Sequence, residues 1–362
     1  MAQSAQGVQK AQGVSGRTDR RWYSLALVVL LALLPHSVHS QVAGLNTLTV
    51  FDLSATARSA GLGMDYLPVY DADLSIAFDN PSLLNTSHNN SAMLSFVPFF
   101  EGSNMTALAY AHSFGRIGTF SFGMRMFNFG RFHGYDAEEN YEGDFGAGDY
   151  SLVVGWSLWI DSSFSIGVNF KPVFSKYEQY SALAQAIDIC GSYISSDRRL
   201  TATVMARNIG AQIMTFDNSV ESLPFELSAA LSYKLKGAPF RLYLTATELQ
   251  RWNLSYEDPL HPTTTTDPFT GEVNTQSWFA STLDNLMRHV LVGLELNLGN
   301  SVYARVGYSY RQSAEMVGAD LLNMSGFSFG VGIRTKRLEF GYARSNYHLS
   351  QAPDFFTLSY RF

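Results

Sequence analysis

From residue 91 onward the chain alternates. Large apolar side chains and small or polar ones change places at every step, in runs of about ten residues, as in Thr119-Phe-Ser-Phe-Gly-Met-Arg-Met126 and Ser301-Val-Tyr-Ala-Arg-Val-Gly-Tyr-Ser-Tyr310. Period two is the signature of a strand with two chemically different faces. Fourteen such runs are expected, near 91–99, 104–113, 117–129, 149–160, 163–174, 184–194, 199–209, 225–235, 239–248, 289–298, 301–311, 326–334, 337–345 and 354–362. Ten residues at about 3.3 Å each, tilted by about 40°, rise roughly 25 Å, the height of the apolar band of an outer-membrane barrel. Strands of soluble proteins are usually nearer five or six residues. The run at 184–194, containing Asp188 and Cys190, alternates least well.

The connections add a second signal. Tight turns are expected at Gly115-Arg116, Asp161-Ser162, Ser195–Arg198, Lys236–Ala238, Gly299-Asn300 and Thr335-Lys336, and between them lie longer loops at 130–148, 175–183, 210–224, 249–288, 312–325 and 346–353. Short turns at one end and long loops at the other describe a barrel with periplasmic turns and outer loops. The even strand number puts both barrel termini in the periplasm.

Parity then identifies the lipid face. If Phe120, Val168, Val204, Leu231, Leu244, Leu294, Val306, Val331, Phe340 and Leu358 face lipid, then Arg125, Lys171, Arg207, Glu226, Lys234, Arg241, Glu295, Arg305, Arg334, Glu339 and Arg361 all face the lumen. This is the required arrangement, because a cation at the lipid midplane costs about 2–4 kcal/mol. Arg344 breaks parity, near a strand end where its stem can snorkel. Trp156, Trp159, Tyr233, Tyr308 and Tyr310 are placed for interfacial girdles. The period-two series Phe356, Leu358, Tyr360, Phe362 ends the chain on an aromatic residue, as outer-membrane barrels do.

Export is expected from residues 1–40. Arg17, Arg20 and Arg21 precede the apolar run 25–34, too short for a membrane helix, and Val38 and Ser40 supply small residues before cleavage at Ser40/Gln41. These forty residues carry four bases and one acid, so the remainder carries −9 against −6 for the whole. That balance gives no cationic surface for a phosphate backbone, and nucleic acid is not an expected partner. The single Cys190 excludes a disulfide framework and a Cys-rich metal site. Residues 41–90 lack strand alternation. Ser54 is placed to cap a short helix stopped by Gly61 and Gly63, and Asn80-Pro81 starts another. The segment reads as a periplasmic plug or hatch, within or beneath a barrel of residues 91–362.

Catalytic patterns are scarce: no nucleophile elbow, zinc-protease helix, phosphate loop or dinucleotide fingerprint occurs, and the eight His are scattered. No enzyme activity, cofactor or metal is expected. The stretch Asp136–Asp144 holds five carboxylates without calcium-loop spacing. The outer loops are the expected binding surface, through the aromatics Tyr135, Phe145, Trp252, Tyr256, Phe269 and Trp278.

Several stretches taken together, Ser54–Gly63, Phe78–Leu84, Ala109–His112 with Gly118–Phe120, Leu223–Glu226, Gly237–Arg241, Trp252–Pro259, Met287–His289 and Tyr347–Leu349, resemble the PorQ family of outer-membrane subunits of the Bacteroidota type IX secretion system, over essentially the whole chain after residue 40. Single motifs are shared with PorV and other FadL-like barrels. The resemblance implies a FadL-like all-β, fourteen-stranded antiparallel transmembrane barrel. It also implies a place in the cell-surface attachment complex, tethering PorZ beside PorU and PorV, where cargo is processed and joined to anionic lipopolysaccharide. It transfers no catalytic residue. The alternatives are a FadL-type transporter of hydrophobic small molecules and a PorV-like shuttle for cargo signals.

Overall fold

The computed structural model describes residues 48–51, 53–63, 68–100, 102–216, 220–255, 264–266, 273–275, 278–299, 301–316, 324–346 and 352–362. The signal peptide with Ser40 and Gln41, and the loop residues Tyr256 and Phe269, lie outside them. Each of the fourteen alternating runs is a strand: β1 (Ser91–Pro98), β2 (Asn104–Ser113), β3 (Thr119–Tyr135), β4 (Tyr141–Trp159), β5 (Phe164–Tyr177), β6 (Tyr180–Ile194), β7 (Leu200–Met214), β8 (Glu226–Lys234), β9 (Phe240–Ala246), β10 (Val290–Leu298), β11 (Val302–Ser309), β12 (Phe327–Arg334), β13 (Leu338–Ser345) and β14 (Asp354–Arg361). All pair antiparallel with their neighbours in sequence, and β14 pairs with β1 from Ser91↔Arg361 to Phe96↔Phe356, closing the barrel. Closure satisfies every ladder within the wall and leaves no open edge in lipid. No helix among the described residues is long and apolar enough to cross a membrane.

Parity holds. Leu94, Leu108, Phe122, Leu152, Val204 and Leu358 stand on the outer surface. Arg125, Lys171, Arg241, Glu295 and Arg305 point inward and are buried. Most of the inward charges are paired: Lys171 with Asp188 at 2.7 Å, Arg207 with Glu226 at 2.8 Å, Arg305 with Glu295 at 2.8 Å and Arg334 with Glu339 at 2.7 Å. Arg344, the exception, reaches Asp354 at 3.6 Å at the long-loop end of β13. An arginine at Val204, which is 59% exposed and roughly mid-height on β7, is expected to cost about 2–4 kcal/mol in stability measured by refolding into bilayers. Arginine at the loop residue Val220 should cost almost nothing.

Three details correct the sequence reading. The stretches 130–148 and 175–183 are hairpins rather than loops. Strands β3 and β4 have 17 and 19 residues and turn only at 136–140, while β5 and β6 turn at Glu178-Gln179. Nineteen residues rise roughly 45–50 Å, about twice the apolar band, so the upper half meets water on both faces and loses its alternation. Strand β6 alternates poorly in sequence because Asp188 occupies an inward position, neutralised by Lys171, beside a β-bulge at Ile187/Ile189 where Asn208 takes a positive φ of 56°. The helix expected from Ser54 starts later: Thr56 caps α1 (Ala57–Gly61), its Oγ1 accepting from the Ser59 amide.

Residues 48–90 thread through the lumen, and 54–63 are all buried. The inner wall suits them because it is small and hydroxylated. Thr357 accepts the Ala57 amide at 2.9 Å, Ser192 meets Ser82 at 2.6 Å, Ser157 donates to the Ser82 carbonyl at 3.1 Å and Ser232 to the Pro68 carbonyl at 2.5 Å. Pro81 opens a 3₁₀ turn over Pro81–Leu83, following the Asn80-Pro81 signal. Glycines allow the closest approach. A Cβ on Gly167 would lie 2.2 Å from the Ser82 amide nitrogen, and one on Gly307 2.3 Å from the Leu62 carbonyl carbon. Trp159 also turns inward, its Nε1 donating to the Leu84 carbonyl at 2.9 Å, and so leaves the lipid girdle.

The segment carries its own ionic lock. Arg58 on α1 is 4% exposed and pairs with Asp71 at 2.6 Å and Asp73 at 3.1 Å. Burial alone would raise the Asp71 carboxyl, but the guanidinium overrides it and holds it well below the carboxylate range. Burial likewise pushes the His88 imidazole below its ordinary value, so it accepts the Asn85 amide at Nδ1, 3.2 Å away, in its neutral form.

Candidate functional site

Two structures rise from the long-loop rim. The first is the β3–β4 ribbon. At its tip the Asp136 carboxylate collects the backbone amides of Glu138 and Asn140 at 2.9 and 2.8 Å and the Asn140 side chain at 2.9 Å. The Asn140 donors hold that carboxyl below its ordinary range, and the tip is a tied Asx turn. Below it, Tyr135 packs edge-on against Tyr141, and Phe145 stacks on Phe132 with centroids 5.5 Å apart. Phe145 is therefore half-covered by its own ribbon, whereas Tyr135 is 60% exposed.

The second is a platform between β9 and β10. Its main element, α2 (Trp278–Arg288), was not expected in the loop 249–288. Asn285, the buried residue of the helix, fixes it to the preceding chain: its side-chain oxygen accepts the Leu254 amide at 2.8 Å and its amide donates to the Trp252 carbonyl. His289 follows, with Nδ1 2.8 Å from the Thr247 carbonyl and Nε2 3.1 Å from that of Trp252. Tyr310 opens α3 (Tyr310–Glu315), where a strand end was expected, and donates to Asp284 at 2.6 Å, tying the helices together.

Once the helix is held by its polar side, its apolar residues face out. Phe279, Leu283, Leu286 and Met287, spaced i, i+4, i+7, i+8, form one stripe exposed between 37 and 63%, and Trp278 and Trp252 beside it are exposed 78 and 66%. A helix normally turns such a stripe to a core; an exposed one is a docking face. The structure thus brings Trp252 and Trp278 together on one platform and Tyr135 and Phe145 together on one ribbon, several strands apart around the rim. The stripe residues Leu283, Leu286 and Met287 escaped the sequence reading, although the helical period of Trp278–Arg288 is visible in it.

Chemistry is not assembled elsewhere among the described residues, where no group of three His, Cys, Asp or Glu could hold a metal ion. Cys190 is buried at the wall, accepting the Ser82 amide at 3.3 Å.

No family model and no curated protein matches the chain. Solved structures do. The TodX monoaromatic hydrocarbon channel deltaS2 mutant aligns over 85% of this chain and 98% of its own at 12% identity, with a TM-score of 0.50. The fold is FadL-like. The TodX deltaS2S3 mutant matches at 11% identity and TM-score 0.50, covering 85% of this chain and 99% of that one. A Pseudomonas aeruginosa FadL homologue matches at 11% identity, covering 85% and 97%, with a TM-score of 0.44. The FadL-like architecture is that of an outer-membrane barrel.

Proposed function

We propose that this barrel is a non-enzymatic outer-membrane anchor of the type IX secretion attachment complex, holding PorZ on its outer rim and, through it, PorU and PorV, for cargo processing and attachment to anionic lipopolysaccharide. The observation that carries the docking role is the exposed stripe of α2, an apolar surface clamped from behind so that it meets a partner without folding away. The assignment of the partner rests on the resemblance of the sequence to the PorQ family. The inner segment serves as a plug, bonded to the wall along its length.

Deleting 255–280 is expected to leave the barrel inserted and heat-modifiable on a gel while releasing PorZ into the medium. The milder double variant Phe279→Glu/Leu283→Glu should weaken partner capture by at least about thirtyfold, the scale of a lost interface hot spot. Full retention of PorZ by both variants would remove the platform from the interface.

A second reading, a channel for hydrophobic small molecules, is favoured by the shared fold with TodX. Against it stand the charges that line the interior, Arg58 with two aspartates and the pairs Arg305–Glu295 and Arg334–Glu339. Uptake of toluene into vesicles carrying the purified barrel distinguishes the two.

A further inference from the structure

The short-turn end, periplasmic in a barrel of this type, contains two clefts on either side of the strap formed by residues 70–74 of the inner segment. The larger, about 570 Å³, lies between the β6–β7 and β8–β9 turns with Tyr70 as its inner wall. Five bases line it, among them Arg198, Lys234, Lys236 and Arg241, against the single acid Asp197, which Arg199 approaches at 3.6 Å. The smaller, about 310 Å³, lies beside the β12–β13 turn and is lined by four bases, including Lys336, Arg337 and Arg361, against Glu339, which is committed to Arg334.

This concentration of positive charge is at odds with a chain whose net charge is −6. It is also costly within the wall. Lys234 and Arg241 stand directly opposite each other on β8 and β9, and like charges so placed repel. Arg241 is 8% exposed and its one side-chain hydrogen bond goes to the neutral Ser232 at 3.4 Å. Among the described residues no carboxylate comes within ion-pair distance of Arg198, Lys234, Lys236 or Arg241. An arrangement of unneutralised cations around a cleft is resolved by an anion supplied from outside.

The walls indicate which anion. Alongside the cations the clefts present Tyr70 and Leu235 in one and Leu74, Leu338 and Tyr360 in the other. Apolar and cationic groups alternating across a divided site suit an extended chain bearing both carboxylates and apolar side chains better than a bare phosphate. We infer that the periplasmic mouth is a docking site for an acidic, partly apolar peptide segment of a periplasmic protein, lying across the strap with its carboxylates in the two basic clefts.

The test uses the whole barrel purified in detergent and a fluorescent decapeptide alternating Asp or Glu with Leu or Phe. The expected result is saturable binding that weakens steeply with salt, and at least a tenfold loss of affinity in Arg198→Glu/Lys236→Glu and again in Lys336→Glu/Arg337→Glu. All four positions lie in or next to turns, and heat-modifiable migration verifies that each variant is folded. Glu138→Lys/Glu139→Lys, at the opposite end, should bind as the parent does. Absence of binding, equal binding by both cleft variants, or complete displacement of the peptide by millimolar inorganic phosphate would overturn the inference, the last by reducing the site to one for small anions.

Discussion

An Arg58→Ala variant is expected to keep its barrel and lose the grip on its inner segment. The substitution strands Asp71 and Asp73 without their counter-ion, and Asp73 is almost wholly enclosed. Removing one partner of a buried ion group costs about 3–5 kcal/mol, because the remaining charge can neither return to water nor be neutralised. That energy falls on the docking of residues 48–90 and not on the strand ladders, which Arg58 does not join. Amide hydrogen exchange should accelerate over 54–63 by two to three orders of magnitude while β1–β14 stay protected, and proteases should gain cleavage sites in the segment. Restoring neutrality with Asp71→Asn and Asp73→Asn should recover part of the protection. Unchanged exchange in the single variant would mean that the hydroxyl contacts alone hold the segment.

Placing a methyl group on Gly167 should be nearly as severe. The new carbon would sit 2.2 Å from the Ser82 nitrogen and 2.5 Å from the Pro81 carbonyl carbon, and both are backbone atoms that no rotamer change can move aside. Overpacking typically costs about 1–3 kcal/mol when side chains can yield; here Gly167→Ala is expected to reach or exceed the upper figure, and Gly167→Val to expel the 3₁₀ turn at Pro81–Leu83. The readout is loss of protection at Ser82 and Leu83 together with ion conductance through bilayers above that of the parent. Gly191→Ala is the control, since its added carbon meets only the Ser165 carbonyl at 4.0 Å. If the two alanine variants behaved alike, the close approach at Gly167 would not govern the packing.

The barrel was legible because lipid is a severe solvent: every outward residue of a strand must be apolar, so Val204, Leu231 and Leu358 announce their face. Where that constraint lapses, so does the pattern. The ribbon above Gly130 carries Arg131, His133 and Asp144 on strands wetted on both sides, and its composition is that of a loop. The helix α2 lay hidden in a long loop because its cap-free start follows a Thr- and Pro-rich stretch, although Phe279, Leu283, Leu286 and Met287 keep helical time. Trp159 illustrates a different limit. Its position near a strand end suited an interface residue, but strand parity turns it to the lumen, where Leu84 offers a carbonyl. The basic clefts were the least legible part, since they draw Tyr70, Arg198, Lys236 and Arg241 from three distant stretches of chain.

The seam between the first and last strands has a consequence for how the molecule is made. Residues 48–90 precede β1, and the amide of Phe362 closes on the carbonyl of Asn90, so the interior must already be occupied when the final staves come together. Packed glycines and buried aspartates leave little clearance for threading a peptide into a finished cylinder. The N-terminal segment is then a former around which the sheet is wrapped, and a defect in it should surface as slow or failed biogenesis before it surfaces as a leak.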